Sequence, residues 1–80
     1  MDVIHNPDQQ RFCVQFNSEL AELNYQMVDE QTVNFTRTFV PESLRRQGIA
    51  ERLVRAGLSW AKSANYHIVA DCWYVERFLR

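Results

Sequence analysis

Apolar and polar residues alternate along the first half of the chain and recur at helical spacing along the second. In residues 11–16, Phe12, Val14 and Phe16 share one face, as in a half-buried strand. Residues 20–28 place Ala21, Leu23, Tyr25 and Met27 on one side and Glu22, Asn24 and Gln26 on the other, the pattern of a strand with one wet face. Residues 32–40 are rich in Thr, Val and Phe, which suit a pleated strand. Asn17-Ser18 and Asp29-Glu30 separate these segments as turns. Three strands joined so tightly form an antiparallel meander.

Pro41 stops the third strand, because proline has no N–H for the ladder. From Gln47 the period changes. Ile49, Leu53, Ala56 or Gly57, Trp60 or Ala61, and Ala64 recur every three to four residues, predicting a helix over 47–64. Glu51 and Arg55 sit four apart in the favourable order, and Asn65 is a left-handed stop. A short strand over 67–71 and a short helix over 75–79 follow. The order is β-β-β-α-β-α. A strand, a crossover helix and a second strand make a parallel, right-handed pair. The predicted class is α/β (α+β): an antiparallel three-strand meander, then a βα unit adding a parallel strand, then a short C-terminal helix.

Composition narrows the setting. Eighty residues make one domain, residues 1–80, that buries only about 60% of its unfolded surface. The 46% hydrophobic content excludes a disordered chain. No apolar run approaches the ~20 residues of a membrane span, and residues 1–5 show no secretory signal. Cys13 and Cys72 have no metal-ligand spacing and make no disulfide framework, so free thiols, no metal and a cytoplasmic location are expected. Net charge is −1, but residues 1–36 hold one cation and six acids while residues 37–80 hold eight cations and four acids. The basic half either meets an anionic partner or is a solvated surface.

The topology says where chemistry would collect. Ligands of parallel strands bind at their carboxyl ends. There the chain brings together Phe39-Val40, the loop 41–48, and Asp71-Cys72-Trp73-Tyr74. Arg45-Arg46-Gln47-Gly48-Ile49-Ala50 is the sharpest feature. The first turn of a helix presents unpaired N–H groups and a positive dipole end, which suit a phosphate. Gly48 allows close approach, and Arg45 and Arg46 add charge and paired donors. The bland alternative is a helix start with a chance glycine and surface arginines.

With Arg45, Gly48 and Ala50 in that order between a strand and a helix, the sequence resembles the GNAT superfamily of N-acetyltransferases, which carries Q/R-x-x-G-x-G/A there. More narrowly it resembles the small single-domain YjdJ-like branch, through Asn6-Pro7, Arg11-Phe12, Thr38-Phe39-Val40-Pro41, Gln47-Gly48-Ile49-Ala50, Leu53-Val54, Ile68-Val69, Cys72 and Val75. The resemblance implies a GNAT-like mixed sheet and acetyl-CoA as the cosubstrate. Its pyrophosphate would lie on the amides of 45–50, and its pantetheine arm along Phe39 and Val40. At two positions the chain departs from the pattern: many members have histidine in place of Arg37 and an acidic residue in place of Phe39. Relatives usually continue past the position of Arg80, which implies an acceptor pocket completed by a second subunit; a monomer or weak homodimer is expected.

Within that resemblance Cys72 is a nucleophile for the acetyl group, an acid for the departing sulfur and a binding contact, or a plain buried cysteine. Tyr74 is a general acid or a pocket wall. Asp71 is a base or, more in keeping with its place, a helix cap. His5, His67 and Cys13 are expected to be structural, and Trp60 and Trp73 core or interface. The leading function is acetyl transfer to an amine or peptide of unspecified kind, with a non-catalytic CoA-binding or regulatory module as the alternative. A nucleic-acid module using Arg45, Arg46, Arg52 and Arg55 is disfavoured by the apolar helix stripe and the net charge, so no nucleic-acid or membrane partner is expected.

Overall fold

A computed structural model describes residues 2–80. Five strands, β1 (Ile4–Asn6), β2 (Arg11–Phe16), β3 (Glu19–Asp29), β4 (Thr32–Phe39) and β5 (His67–Ala70), lie in one sheet in the order of the sequence. Helix α1 (Ile49–Ser63) crosses over between β4 and β5, and α2 (Trp73–Glu76) follows β5. The first four strands pair antiparallel, and β4 pairs with β5 in parallel.

The meander has one strand more than the alternation predicts. β1 is too short to show a period, but Ile4, His5 and Asn6 pair with Cys13, Phe12 and Arg11. His5 is structural, as expected. Its ring stacks on Phe12 at 4.1 Å, and its Nε2 shares a 2.6 Å hydrogen bond with the Tyr25 hydroxyl. Burial lowers the His5 imidazole below its ordinary value. Trp60 completes this cluster, 4.8 Å from the Tyr25 ring.

The helices cover one face of the sheet only. Phe12, Val14, Leu23, Val33 and Phe35 meet Ile49, Leu53, Val54 and Ala61 of α1 and Val75 of α2 in a single core. Each such side chain taken from water stabilises the fold by about 1.5–3 kcal/mol. Gly57 lets α1 lie close on the sheet, since a Cβ there would stand 2.9 Å from both Leu23 Cδ2 and Phe35 Cε1. The helix closes with a Schellman arrangement: the Tyr66 N–H donates to the Ala61 carbonyl at 2.9 Å, the Asn65 N–H to the Lys62 carbonyl at 3.0 Å, and Asn65 has φ 60°. Arg55 and Glu51 form the expected i, i+4 pair at 3.2 Å.

Two local expectations are corrected. The terminal helix begins at Trp73 rather than 75 and passes into a 3₁₀ turn over Arg77–Leu79. Asp71 does not cap it. Its carboxylate accepts from the Asn34 side-chain Nδ2 at 3.0 Å and its own N–H donates to the Asn34 side-chain Oδ1 at 3.0 Å, so it is drawn across to β4 instead. Among the described residues no helix is long and apolar enough to cross a membrane, and no group of three or more His, Cys, Asp or Glu could hold a metal.

Candidate functional site

The site is a wedge between two strands that part. β4 and β5 pair from Thr32–His67 to Phe35–Ala70 and no further. In the pairing of β3 with β4, Tyr25 faces Phe35 and Asn24 faces Arg37, so Thr36 is an extra residue, a β-bulge. The bulge bends β4 where β5 ends. A last backbone bond, from the Cys72 N–H to the Phe35 carbonyl at 3.1 Å, closes the apex. Beyond it β4 runs on to Phe39 while the other chain turns into α2. Two cavities of about 190 Å³ and about 450 Å³ occupy the gap, and both are lined by Val40, Arg45, Ala50 and Tyr74, which makes them one groove.

One end of the groove is the helix start. Buried Pro41 and Leu44 anchor a 3₁₀ turn over Glu42–Leu44, and the Arg45 Nε–H donates to the Val40 carbonyl at 3.0 Å, holding the loop on the strand end. Arg46 and Gly48 both have left-handed backbones, with φ 69° and 74°. Nothing in the protein lies within 4 Å of where a Gly48 Cβ would stand, so glycine is required by its φ and the space above it is open. The first α-helical bond runs from the Arg52 N–H to the Gly48 carbonyl at 3.1 Å, which leaves the amides of Ile49, Ala50 and Glu51 with no acceptor inside the helix. No side chain caps them. Glu51 reaches for Arg55 rather than for these amides. Free donors, a positive dipole end and the exposed Arg45 and Arg46 fit a diphosphate. The side chain of Ile49 belongs to the core, so only its amide can serve. Gln47 is exposed and lines neither cavity.

At the other end stand Cys72 and Tyr74, with Phe39 and Trp73 at the rim. Thr38, which the sequence pattern did not single out, is the partner of Cys72: its Oγ1 lies 3.4 Å from Sγ. Burial raises the Cys72 thiol, but hydrogen bonds from the Thr38 hydroxyl and the amides of Val75, Tyr74 and Thr38 outweigh it, and the thiol is held below its ordinary value. Alkylation of Cys72 by iodoacetamide should therefore reach half-maximal rate at a lower pH than a cysteine in a short unstructured peptide. Thr38→Val should move that midpoint back up. An unchanged midpoint in Thr38→Val would show that Thr38 does not stabilise the thiolate.

Tyr74 is half-buried and packs against Phe78 at 5.4 Å between ring centres, so it is a wall of the groove whatever else it does. No histidine and no carboxylate lines the cavity beside Cys72. His67 opens β5 at the far edge, where its N–H donates to the Gln31 carbonyl at 2.7 Å, and Cys13 pairs with Ile4 and Glu22 away from the groove. Trp73 is 71% exposed and belongs to the rim rather than the core.

Comparison with known proteins gives this geometry a family. The model of GCN5-related N-acetyltransferases matches residues 11–80. Protein NATD1 of Bos taurus is 30% identical over 80 residues, covering 98% of this chain and 71% of that protein. Protein NATD1 of Xenopus tropicalis is 29% identical over 80 residues, covering 98% and 73%. A solution NMR structure of a GCN5-like protein from Staphylococcus aureus, described as a candidate N-acetyltransferase, superposes with a TM-score of 0.75 at 26% identity, over 98% of this chain and 76% of that one. A mixed sheet opened by a bulge and a helix-start loop with free amides are thus set in a chain that belongs to the GCN5-related N-acetyltransferases.

Proposed function

We infer that the chain binds acetyl-CoA in the β4–β5 wedge and transfers its acetyl group to an amine. The observation that carries this is the continuity of the groove from the phosphate-fitting loop at Arg45–Ala50 to the lowered thiol of Cys72. Arg45, Arg46 and the amides of Ile49, Ala50 and Glu51 hold the diphosphate. Beyond Phe35 the β5 side of β4 faces no strand, so the pantetheine arm would lie along that open edge near Phe39 and Val40. When bound, acetyl-CoA supplies a thioester carbonyl as the electrophile.

Cys72 then has two balanced roles. As a nucleophile its sulfur bonds to the acetyl carbon, the carbon–sulfur bond to CoA breaks, and the proton that Cys72 gave up goes to the departing thiolate; an amine next takes the acetyl group and releases the Cys72 thiolate and a proton. As an acid it protonates the departing thiolate while the amine attacks directly and loses its own proton to water. Tyr74 bounds the same space, and its hydroxyl is the other local proton donor.

Binding comes first. Calorimetry with acetyl-CoA should show a saturable site, and its absence would end this reading. Cys72→Ala should then lower transfer by about 10²–10⁴-fold, the usual worth of a positioned proton donor or base, with acetyl-CoA affinity little changed. Full transfer by Cys72→Ala would remove Cys72 from the chemistry. A second reading, a CoA-binding module that transfers nothing, is favoured by the lack of any histidine or carboxylate around Cys72. Tight binding with no transfer to any amine would establish it.

A further inference from the structure

The acceptor side of the groove has a charge of its own. The wedge has two mouths. One opens toward the Gly48 loop on the helix side. The other opens on the bare face of the sheet, because Phe39 pairs with Glu22, whose row points away from the helices, and Phe39 is 39% exposed there.

Two arginines that do not line the cavity themselves lie on aromatic residues that do, Arg37 on Phe39 and Arg77 on Trp73 and Tyr74. The Arg37 guanidinium is 5.1 Å from the Phe39 ring centre. The Arg77 guanidinium is 5.7 Å from the Trp73 ring and 5.6 Å from the Tyr74 ring. Such contacts hold the planar group in place and leave N–H edges for a ligand. Of the nearby acids among the described residues only Glu22 touches either arginine, and Arg37 also donates to the Asn24 Oδ1 at 3.1 Å. Glu22 is shared between Arg11 and Arg37, 3.6 Å from each, so that row keeps a net positive charge. Asp71 is tied to Asn34, and Glu76 to Arg80 at 2.7 Å. Among the described residues no ion pair engages Arg77.

Resting on the acetyl-transfer reading above, we propose that the acceptor enters from the bare sheet face and is an amine that also carries a carboxylate, held by Arg37 and Arg77. A second cation on the acceptor, as in a polyamine or a lysine within a basic peptide, would be repelled at this mouth. A carboxylate gains charge-assisted hydrogen bonds. The same two arginines disfavour the ammonium form of the incoming amine, so more of it arrives neutral, the form that attacks. The field therefore selects the carboxylate and helps deprotonate the amine, in a cavity lined by no histidine and no carboxylate.

Calorimetric titration of CoA-saturated protein tests this with N-acetyl alanine, serine and phenylalanine, each as the free acid and as the α-carboxamide. At least one free acid should bind about tenfold or more tightly than its carboxamide, the least expected of a charge-assisted hydrogen bond. Arg77→Gln, a change at an exposed side chain, should remove most of that preference and leave CoA affinity as it was; Arg37→Gln should do the same. In transfer assays the free amino acid should exceed its carboxamide in kcat/KM by a similar factor. Equal binding of acid and carboxamide, a preference unaltered in Arg77→Gln, or no saturable binding of any free acid would overturn the proposal. Loss of CoA binding itself would instead overturn the acetyl-transfer reading, and the same titrations on CoA-free protein would still score the carboxylate.

Discussion

Gly48→Glu is expected to weaken acetyl-CoA binding at least about 100-fold while the chain still folds. The substitution puts a carboxylate among the free amides of Ile49, Ala50 and Glu51, where the diphosphate would sit. At a separation of ~5 Å and an effective dielectric near 20, each pair of like charges costs about 3 kcal/mol, or roughly two orders of magnitude in affinity. Its effect on the fold is smaller. Nothing in the protein touches the new Cβ, and the penalty is the left-handed backbone at φ 74°, about 1–2 kcal/mol for a residue with a side chain. Gly48→Ala isolates that penalty, since it strains the backbone without adding charge, and should keep most of the affinity. Circular dichroism and calorimetry on the two variants separate the effects. Wild-type affinity in folded Gly48→Glu would place the diphosphate elsewhere.

Phe35→Ala should remove a large part of the fold's stability. Phe35 is fully buried, faces Gly57 across the helix–sheet contact, and lends its carbonyl to the Cys72 N–H at the apex of the wedge. Truncating a buried phenylalanine costs about 3–5 kcal/mol. An 80-residue domain has only about 4–12 kcal/mol in total. The expected fall in Tm is about 12–40 °C, at about 4–8 °C per kcal/mol for a domain of this size. Thermal melts by circular dichroism read it directly, and a fall of under 5 °C would mean that the core does not depend on this ring.

Much of this arrangement was legible in the sequence because one face of each element is buried and the other is wet. Leu23 and Tyr25 lie inside while Asn24 and Gln26 do not, so the period of β3 is plain. The same holds for Leu53, Gly57 and Ala61 along α1. The loop 45–50 was legible because glycine and arginine before a helix have a physical use there. What was hidden lies at the bulge. Val33, Phe35, Arg37 and Phe39 read as one unbroken face, but Thr36 is inserted, so Thr38 rather than Arg37 shares the face of Phe35 and reaches Cys72, while Phe39 turns to the open side. No glycine or proline marks the insertion. The left-handed Arg46 is equally silent, since arginine is not a residue that favours that backbone. β1 and the Asn34–Asp71 link were missed for another reason: three residues carry no period, and a side-chain bond between distant segments leaves no local trace.

The order of the strands also sets the order in which chain entropy must be spent. β1 to β4 each lie beside their neighbour in sequence, so the meander zips through short turns. The seam between β4 and β5 closes a far longer loop, with α1 inside it, and non-local closures of this kind come late in folding and open early in fluctuations. A ligand bound across that seam acts as a tether on its least locally supported joint. Mass action then stabilises the folded chain through the one pairing that its sequence neighbours do least to hold.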